Sequence, residues 1–424
     1  MIKKIIFSIL RFLLLGLTKL NLSSFMSSTL SFLILRNTSH NSTKLGVLVF
    51  EKPRFITDTE GLKKYTDLNP IIIRMKISVI LGKIFLPEEV RGQHKYHYQS
   101  TKKNEEKKLK YRFFLKKILP RLFEKLNIKA ILVGNMDYWE HQEWSWVAEE
   151  LNIPTVVLYR ESVGWDERNI KLKEHYSSLD HKLPISKLAV FGPETKKWLE
   201  KTNLIPENNI VVTGAPRTDT YYKFLTNSKK ENQRELVVLF DFISQKYSSS
   251  VTPIEVLTEF INLSNNTKNY KFLIKTKEEV YKKALLEKIS EIGIPYNNLI
   301  IQSDYKFENI LNEAKLIIGY MRSTAMLESM IAKVPIILPI WGDLFDEDNE
   351  IKNDENTSGH IYKITKKEDF QITIKNLLSM ENIKITEDFL KTREKYIYKN
   401  LYKIDGKSSE RLANLIKDSI LNKP

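Results

Sequence analysis

Between Ala314 and Asp343 the chain reads AKLIIGYMRSTAMLESMIAKVPIILPIWGD. An apolar run ends at Gly319 and Tyr320, and a helical pattern opens at Ser323 and Thr324. A strand that feeds a helix start leaves unpaired amides and the positive end of the helix dipole at the strand's carboxyl end. That combination suits an anion such as a diphosphate, with the two hydroxyls and Arg322 as further donors. Glu328 follows Thr324 by one turn on the same face, where a carboxylate accepts hydrogen bonds from a vicinal diol. Without a ligand, the same pattern is an N-cap followed by a first-turn acid. Earlier in the chain, Glu161 follows the apolar run TVVLY (155–159) and has Arg160 and Trp165 beside it. Asp137 follows AILVG (130–134) and stands next to Tyr138 and Trp139. A carboxylate at such a position can act as a base toward a hydroxyl, Arg160 can bind a phosphate, and the indoles can stack on a ring. A helix cap or a surface ion pair is the structural alternative for both acids.

These residues need a scaffold of strands that end at one edge. From Leu45 onward, short β-branched runs alternate with amphipathic stretches, the pattern of parallel sheets with crossover helices. Strands are expected at 45–50, 130–134, 155–159, 187–192 and 209–214, and then at 235–242, 270–275, 298–302, 315–320 and 334–340. Helices are expected at 144–151, 278–292, 307–314 and 324–332. The stretch 70–86 does not divide cleanly. A polar, charged passage between Tyr222 and Glu235 marks a seam. The expected fold is α/β, with two Rossmann-like doubly wound domains facing across a cleft and an apolar helical segment at the amino terminus. The corresponding boundaries are 1–43, 44–225, 226–385 and 386–424, the last part crossing back to the first domain. Doubly wound sheets bind ligands outside the carboxyl ends of their strands.

A chain of 424 residues with 42% hydrophobic and 11% aromatic residues can bury two or three ordinary cores, which excludes disorder as its main state. The formal charge of +15, from 67 Lys+Arg against 52 Asp+Glu, favours anionic partners. With no cysteine there is no disulfide, thiolate zinc site or cysteine nucleophile, and seven scattered histidines form no metal motif. Asp343, Asp346 and Asp348 read as a solvated acidic loop, so no protein-held metal is expected.

At the amino terminus, 5–17 is apolar but too short for a span and is interrupted by Arg11. Together with 25–35 and the flanking Lys3, Lys4, Lys19 and Arg36, it suggests helices lying in the interface of an acidic membrane. Packing against the chain's own domain and a cleaved signal peptide are the alternatives. Residues 102–126 form a strongly basic helix in which Phe113, Phe114, Ile118, Leu122 and Leu126 recur as an apolar stripe. Its charged side is either a solvated face or a contact for membrane or an anionic acceptor.

Gly319, Ser323, Thr324, Glu328, Lys333 and Pro335 resemble the donor-nucleotide motif in the carboxyl-terminal domain of GT-B glycosyltransferases. Related motifs occur in UDP-N-acetylglucosamine 2-epimerases and CDP-glycerol glycerophosphotransferases. VVTGAPRTDTY (211–221) and IDGKSSERLANLI (404–416) resemble the turn that closes the first domain and the terminal helix of such transferases. The Arg-x4-Lys pair many of them place on the diphosphate is absent, with Lys275 and Lys277 at a strand end as its substitutes here, as is the histidine of the glycerophosphotransferases, where this chain has YRESVGW (159–165). The resemblance implies a metal-independent transferase that needs no cofactor and takes a nucleotide-sugar as substrate. Its donor site would hold Gly319, Arg322, Ser323, Thr324, Glu328, Lys275 and Gly214, with Glu161 or Asp137 as base and Arg160, Trp165 and Trp139 toward the acceptor. The acceptor implied is a lipid-linked or surface glycan, and the location is peripheral, on the inner face of the cell membrane. A CDP-glycerol-type polyol-phosphate transferase is the alternative enzyme. A nucleic-acid binder is the alternative outside catalysis; no RNA- or DNA-binding motif accompanies the charge, so nucleic acid is not the expected partner.

Overall fold

The computed structural model describes residues 12–20, 22–35, 44–51, 55–92, 101–136, 138–160, 174, 176–178, 182–227, 234–241, 251–319, 324–342, 361–379 and 386–422. Six strands form the first sheet: β1 (Leu45–Glu51), β2 (Leu68–Arg74), β3 (Ile128–Val133), β4 (Thr155–Tyr159), β5 (Lys187–Val190) and β6 (Ile210–Val212). Their order is β2-β1-β3-β4-β5-β6, and every neighbouring pair is parallel. Runs such as VVL in β4 and ILV in β3 are covered on both faces, as parallel strands with crossover helices must be. The helices are α1 (Ser23–Leu35), α2 (Ile56–Tyr65), α3 (Met75–Phe85), α4 (Lys102–Lys125), α5 (Trp139–Glu150) and α6 (Pro193–Leu199); α7 (Arg217–Asn227) begins here and continues as part of the second unit.

The stretch 70–86 resolves into most of β2 followed directly by α3. Pro70 obscured the strand, and it is tolerated because β2 is the edge of the sheet, where a missing N–H interrupts no inner ladder. The helix expected from Trp144 begins earlier, at Trp139. In α4, Phe114, Ile118 and Leu122 join the core, but Phe113 is 64% exposed. Five residues separate it from Ile118, which at 100° per residue turns it about 140° away from the stripe. α1 buries Met26, Leu30 and Ile34 in the same core as α4, so this part of the amino-terminal segment packs on its own domain along one side. Among the described residues, no helix is long and apolar enough to cross a membrane.

The second sheet contains β7 (Leu236–Phe240), β8 (Lys271–Lys275), β9 (Leu299–Gln302), β10 (Ala314–Ile318), β11 (Ile336–Pro339) and β12 (Tyr362–Ile364), in the order β12-β11-β10-β7-β8-β9 and again parallel throughout. Its helices are α8 (Val251–Asn266), α9 (Glu279–Ile292), α10 (Phe307–Glu313), α11 (Thr324–Ser329) and α12 (Glu368–Ser379). The chain ends with α13 (Glu387–Leu401) and α14 (Ser408–Leu421). Two compact units result: the described residues up to Asp219 together with Asn400 onward, and Thr220–Lys399. α14 therefore belongs to the first unit, where it packs on α2 and against β3 and β5.

Candidate functional site

In each sheet one pair of neighbouring strands sends its following segments in opposite directions. In the second sheet the chain runs from β7 outward to β8 and β9, then starts again on the other side of β7 with β10. A crevice opens outside the carboxyl ends of such a pair. Phe240 ends β7, and its ring stacks on Phe307 at 6.0 Å. Phe307 in turn meets Tyr221 at 5.1 Å, and the Tyr221 hydroxyl donates to Glu328 Oε2 at 3.3 Å. Glu328, on the helix that follows β10, is only 5% exposed. A carboxylate so shielded needs hydrogen-bond donors, and the phenol holds it in one orientation.

Gly319 follows β10 directly, and a Cβ there would lie 2.4 Å from the Met326 sulfur. Glycine thus lets the α11 segment return close against the strand end. Thr324, the first residue of α11, is exposed. Arg322 and Ser323, and with them the turn between strand and helix, lie outside the described residues. Lys275 ends β8, but its ammonium group donates to the carbonyls of Thr276 at 2.6 Å and Ser303 at 2.8 Å. Burial pushes its pKa down, opposed by the nearby Asp304. It ties the ends of β8 and β9 together, one strand away from β7 and β10, whereas the sequence reading has it as a diphosphate contact.

The first sheet has its divergent pair at β1 and β3. Gly134 follows β3, and a Cβ on it would approach Phe55 at 3.2 Å and the Arg160 Cδ at 3.5 Å. Arg160 follows β4, lies 5.7 Å from the Phe55 ring centroid and has its Nε 3.2 Å from Asp58 Oδ2. Asp58 is fully buried and also takes a fork from Arg217, whose Nε and Nη2 donate to its two oxygens at 2.9 and 2.8 Å. Two arginines thus share one buried acid beside the divergent strands, and the bidentate pair fixes the geometry. The two expected bases, Glu161 and Asp137, lie outside the described residues, as does Trp165. Trp139 is 9% exposed, and its ring sits 2.6 Å from where a Gly82 Cβ would stand. It is a packing residue between α5 and α3, which leaves little of the ring for an acceptor.

Gly214 belongs to the first unit rather than to the donor side. Its φ is +80°, and Ser408 Oγ lies 2.5 Å from where a Cβ would be. The turn it shapes is locked to α14. Asp219 accepts from the amides of Ser408 at 2.9 Å and Ser409 at 2.6 Å, and Arg411 Nε donates to the Thr213 carbonyl at 2.8 Å. The stretches 211–221 and 404–416 are therefore two halves of one interlock. Arg411 also pairs with Asp405 at 2.9 Å. Burial alone would raise the Asp405 carboxyl, but the guanidinium and the Lys407 amide hold it below its ordinary value. Sequence reasoning passed over Asp58, Tyr221 and Phe307. Tyr221 lay inside a motif already quoted, and none of the three carries a local spacing signal.

No family model matches the sequence, and no curated protein matches it. Solved structures do match. UDP-GlcNAc 2-epimerase from Neisseria meningitidis, bound to UDP-GlcNAc, is 12% identical with a TM-score of 0.51, over 88% of this chain and 99% of that one. The Methanocaldococcus jannaschii UDP-GlcNAc 2-epimerase, in complex with UDP-GlcNAc and UDP, is 18% identical with a TM-score of 0.51, over 88% and 99%. The wall teichoic acid polymerase TagF, as its H444N form with CDPG, is 12% identical with a TM-score of 0.52, over 97% and 98%. At these identities the likeness establishes the fold: two parallel α/β units of the GT-B type.

Proposed function

We propose that this chain is a glycosyltransferase that moves a sugar from a nucleotide-sugar donor to a lipid-linked or surface-glycan acceptor at the inner face of the cell membrane. The observation that carries the reading is Glu328, a shielded carboxylate held by the Tyr221 phenol beside the divergent strands β7 and β10. An acid in that setting suits the ribose diol of a nucleotide, and Phe240 and Phe307 supply apolar surface next to it. The neighbours that hold UDP-GlcNAc, UDP or CDPG have the same fold and support a nucleotide-linked donor. No resident cofactor or protein-held metal is required by this reading.

Transfer to a hydroxyl needs a base at the acceptor and stabilisation of the leaving diphosphate. Glu161, next to Arg160, is the proposed base, with Asp137 as its alternative. Arg322, Ser323 and the start of α11 are the proposed diphosphate contacts. A polyol-phosphate transferase with a CDP-linked donor is the second reading, favoured by the 97% of this chain that TagF spans.

Thermal unfolding of the purified chain with UDP-, CDP-, GDP- and CMP-linked donors tests both. One donor class should stabilise the protein by mass action, and CDP-glycerol as that donor would select the second reading. Glu328→Gln replaces a charged acceptor worth about 1.5–3 kcal/mol, so the donor Kd should rise on the order of tenfold to a hundredfold. Glu161→Ala should abolish turnover while donor binding stays. No stabilisation by any donor, or equal losses of binding in the two variants, would reject the assignment.

A further inference from the structure

The first unit exposes its large apolar side chains unevenly. Phe12, Leu20, Phe25, Phe32, Leu109 and Phe113 are each more than half exposed. They belong to the stretch 12–20, to α1 and to α4. α1 and α4 pack against each other and also touch the first sheet on either side of β1, α1 at β2 and α4 at β3. Ser27 Oγ of α1 donates to the Ile118 carbonyl of α4 at 2.9 Å, pinning the two helices together. They therefore lie side by side in one layer, and the sides opposite their buried stripes face outward together. Phe25 and Phe32, seven residues apart, share the outward side of α1, and Leu109 and Phe113, four apart, share that of α4.

The charge on this surface is one-sided. Lys102, Lys103, Lys107, Lys110, Lys117 and Arg121 are all exposed on α4, against the exposed Glu106 and Glu124 and a half-buried Glu105 that pairs with Lys108. Lys117 lies over the Phe113 ring at 4.6 Å, a cation beside an exposed aromatic. Residues 12–35 contain a single charged side chain, Lys19.

We infer that the outward face of α1 and α4, with the stretch 12–20, docks on an anionic lipid bilayer, its phenylalanines entering the acyl boundary and its lysines meeting the head groups. An isolated apolar side chain on a surface is ordinary; several on adjoining helices with a cationic flank mark an interaction surface. Bare phosphate or a polynucleotide would answer the lysines but leave the uncharged aliphatic and aromatic surface in water. A bilayer interface answers both. The helices lie in its plane rather than cross it: the 13 residues of α1 reach about 20 Å, short of the roughly 30 Å hydrocarbon core.

The inference supplies the membrane partner that a lipid-linked acceptor calls for, and to that extent it rests on the proposed function. Its test is independent of turnover. The full chain is sedimented with vesicles of phosphatidylcholine alone and of phosphatidylcholine with phosphatidylglycerol, with no donor or acceptor present. Wild type should bind the anionic vesicles, bind neutral ones weakly, and dissociate as salt rises. Phe25→Ser/Phe32→Ser and Leu109→Ser/Phe113→Ser should each weaken binding by roughly tenfold or more, since each pair removes two apolar side chains that would be buried in the acyl boundary. Lys110→Glu/Lys117→Glu should remove the preference for anionic lipid. All these side chains are exposed, so unchanged melting confirms that the variants are folded. Equal binding to both vesicle types, or apolar variants that bind like wild type, would overturn the proposal. So would vesicle indifference accompanied by polynucleotide binding or self-association that the same substitutions abolish. If donors stabilise the protein but vesicles do not bind, the docking surface fails and the transferase reading stands; the reverse result separates them the other way.

Discussion

Asp219→Ala should unfasten the carboxyl-terminal helix from the first unit. The Asp219 carboxylate is fully buried and accepts two amides at the start of α14, from Ser408 at 2.9 Å and Ser409 at 2.6 Å. Both amides belong to the first turn of a helix, where no backbone carbonyl is in reach. A single N-cap is worth about 0.5–2 kcal/mol, and hydrogen bonds to a charged partner about 1.5–3 kcal/mol each. Partial hydration of the two amides after truncation lowers the sum, so about 3 kcal/mol is expected. For a unit of this size each kcal/mol moves Tm by about 2–4 °C, which predicts a fall of roughly 6–12 °C in the transition of the first unit. Asp219→Asn keeps one acceptor and should lose about half as much. Calorimetry reads the transition, and hydrogen exchange reads whether the α14 amides open ahead of the rest. Donor-induced stabilisation should persist, because Glu328 and Tyr221 belong to the other unit. If Asp219→Ala melts within about 1 °C of wild type with α14 still protected, the interlock does not hold the helix. If melting is unchanged while turnover disappears, Asp219 touches substrate, and its assignment to folding is wrong.

Gly214→Ala should be destabilising for two separate reasons: φ of +80° costs an alanine about 1–2 kcal/mol, and Ser408 Oγ must move from a site 2.5 Å from the new methyl. Chemical denaturation should show a lower midpoint, and Ser408→Gly in the same chain should recover the steric part alone. The Asp405–Arg411 pair predicts an acid-sensitive difference. Asp405 titrates below its unfolded value of 3.8, so the folded state binds fewer protons between the two values. The stabilisation is complete above the unfolded value and is lost as pH falls through the lowered folded one. Wild type and Asp405→Asn should therefore differ in Tm at pH 6 by more than at pH 3, and a constant difference would refute the linkage.

What local pattern decides was readable in the chain. Runs of β-branched residues ending in Gly or a polar residue marked most strands of both sheets, because the inner strands are covered on both faces and leave a continuous apolar signature. β2 was hidden by its edge proline, and β12 reads YKI, with a lysine at its centre and no apolar run like the IVV of the equally short β6. Phe113 adjoins Phe114 in the expected α4 stripe, but 100° per residue puts the two on different sides, and Phe113 is the exposed one. The end-of-strand position of Lys275 was legible, but the carbonyls that occupy it were not. A hydrogen-bonding partner 28 residues away, Ser303, has no signature in the local text. The interlock shows the same limit from the other side. Both stretches were recognisable as motifs, yet Asp219 and Ser409 are 190 residues apart, and only the fold makes them one device.

That limit also separates the two crevices. The divergent strands follow from the order of crossovers, and each sheet has one such pair, β1 with β3 and β7 with β10. Their chemistry follows from side chains contributed by several distant segments. At the first, Asp58 gathers Arg160 and Arg217, so an acid inside the protein holds cations near the strand ends. At the second the polarity is reversed: a phenol and two phenylalanines hold an acid. Asp58 takes up the Arg217 fork and draws the Arg160 Nε, so positive charge is gathered at that strand end, which suits a phosphorylated or acidic group, whereas a carboxylate among aromatic rings suits hydroxyls and an uncharged ring. Under the proposed function this contrast assigns the nucleoside to the second unit and a charged acceptor to the first. Arg160→Gln should then raise KM for the acceptor and leave donor stabilisation unchanged. If it weakened donor binding instead, the two crevices would have to exchange roles.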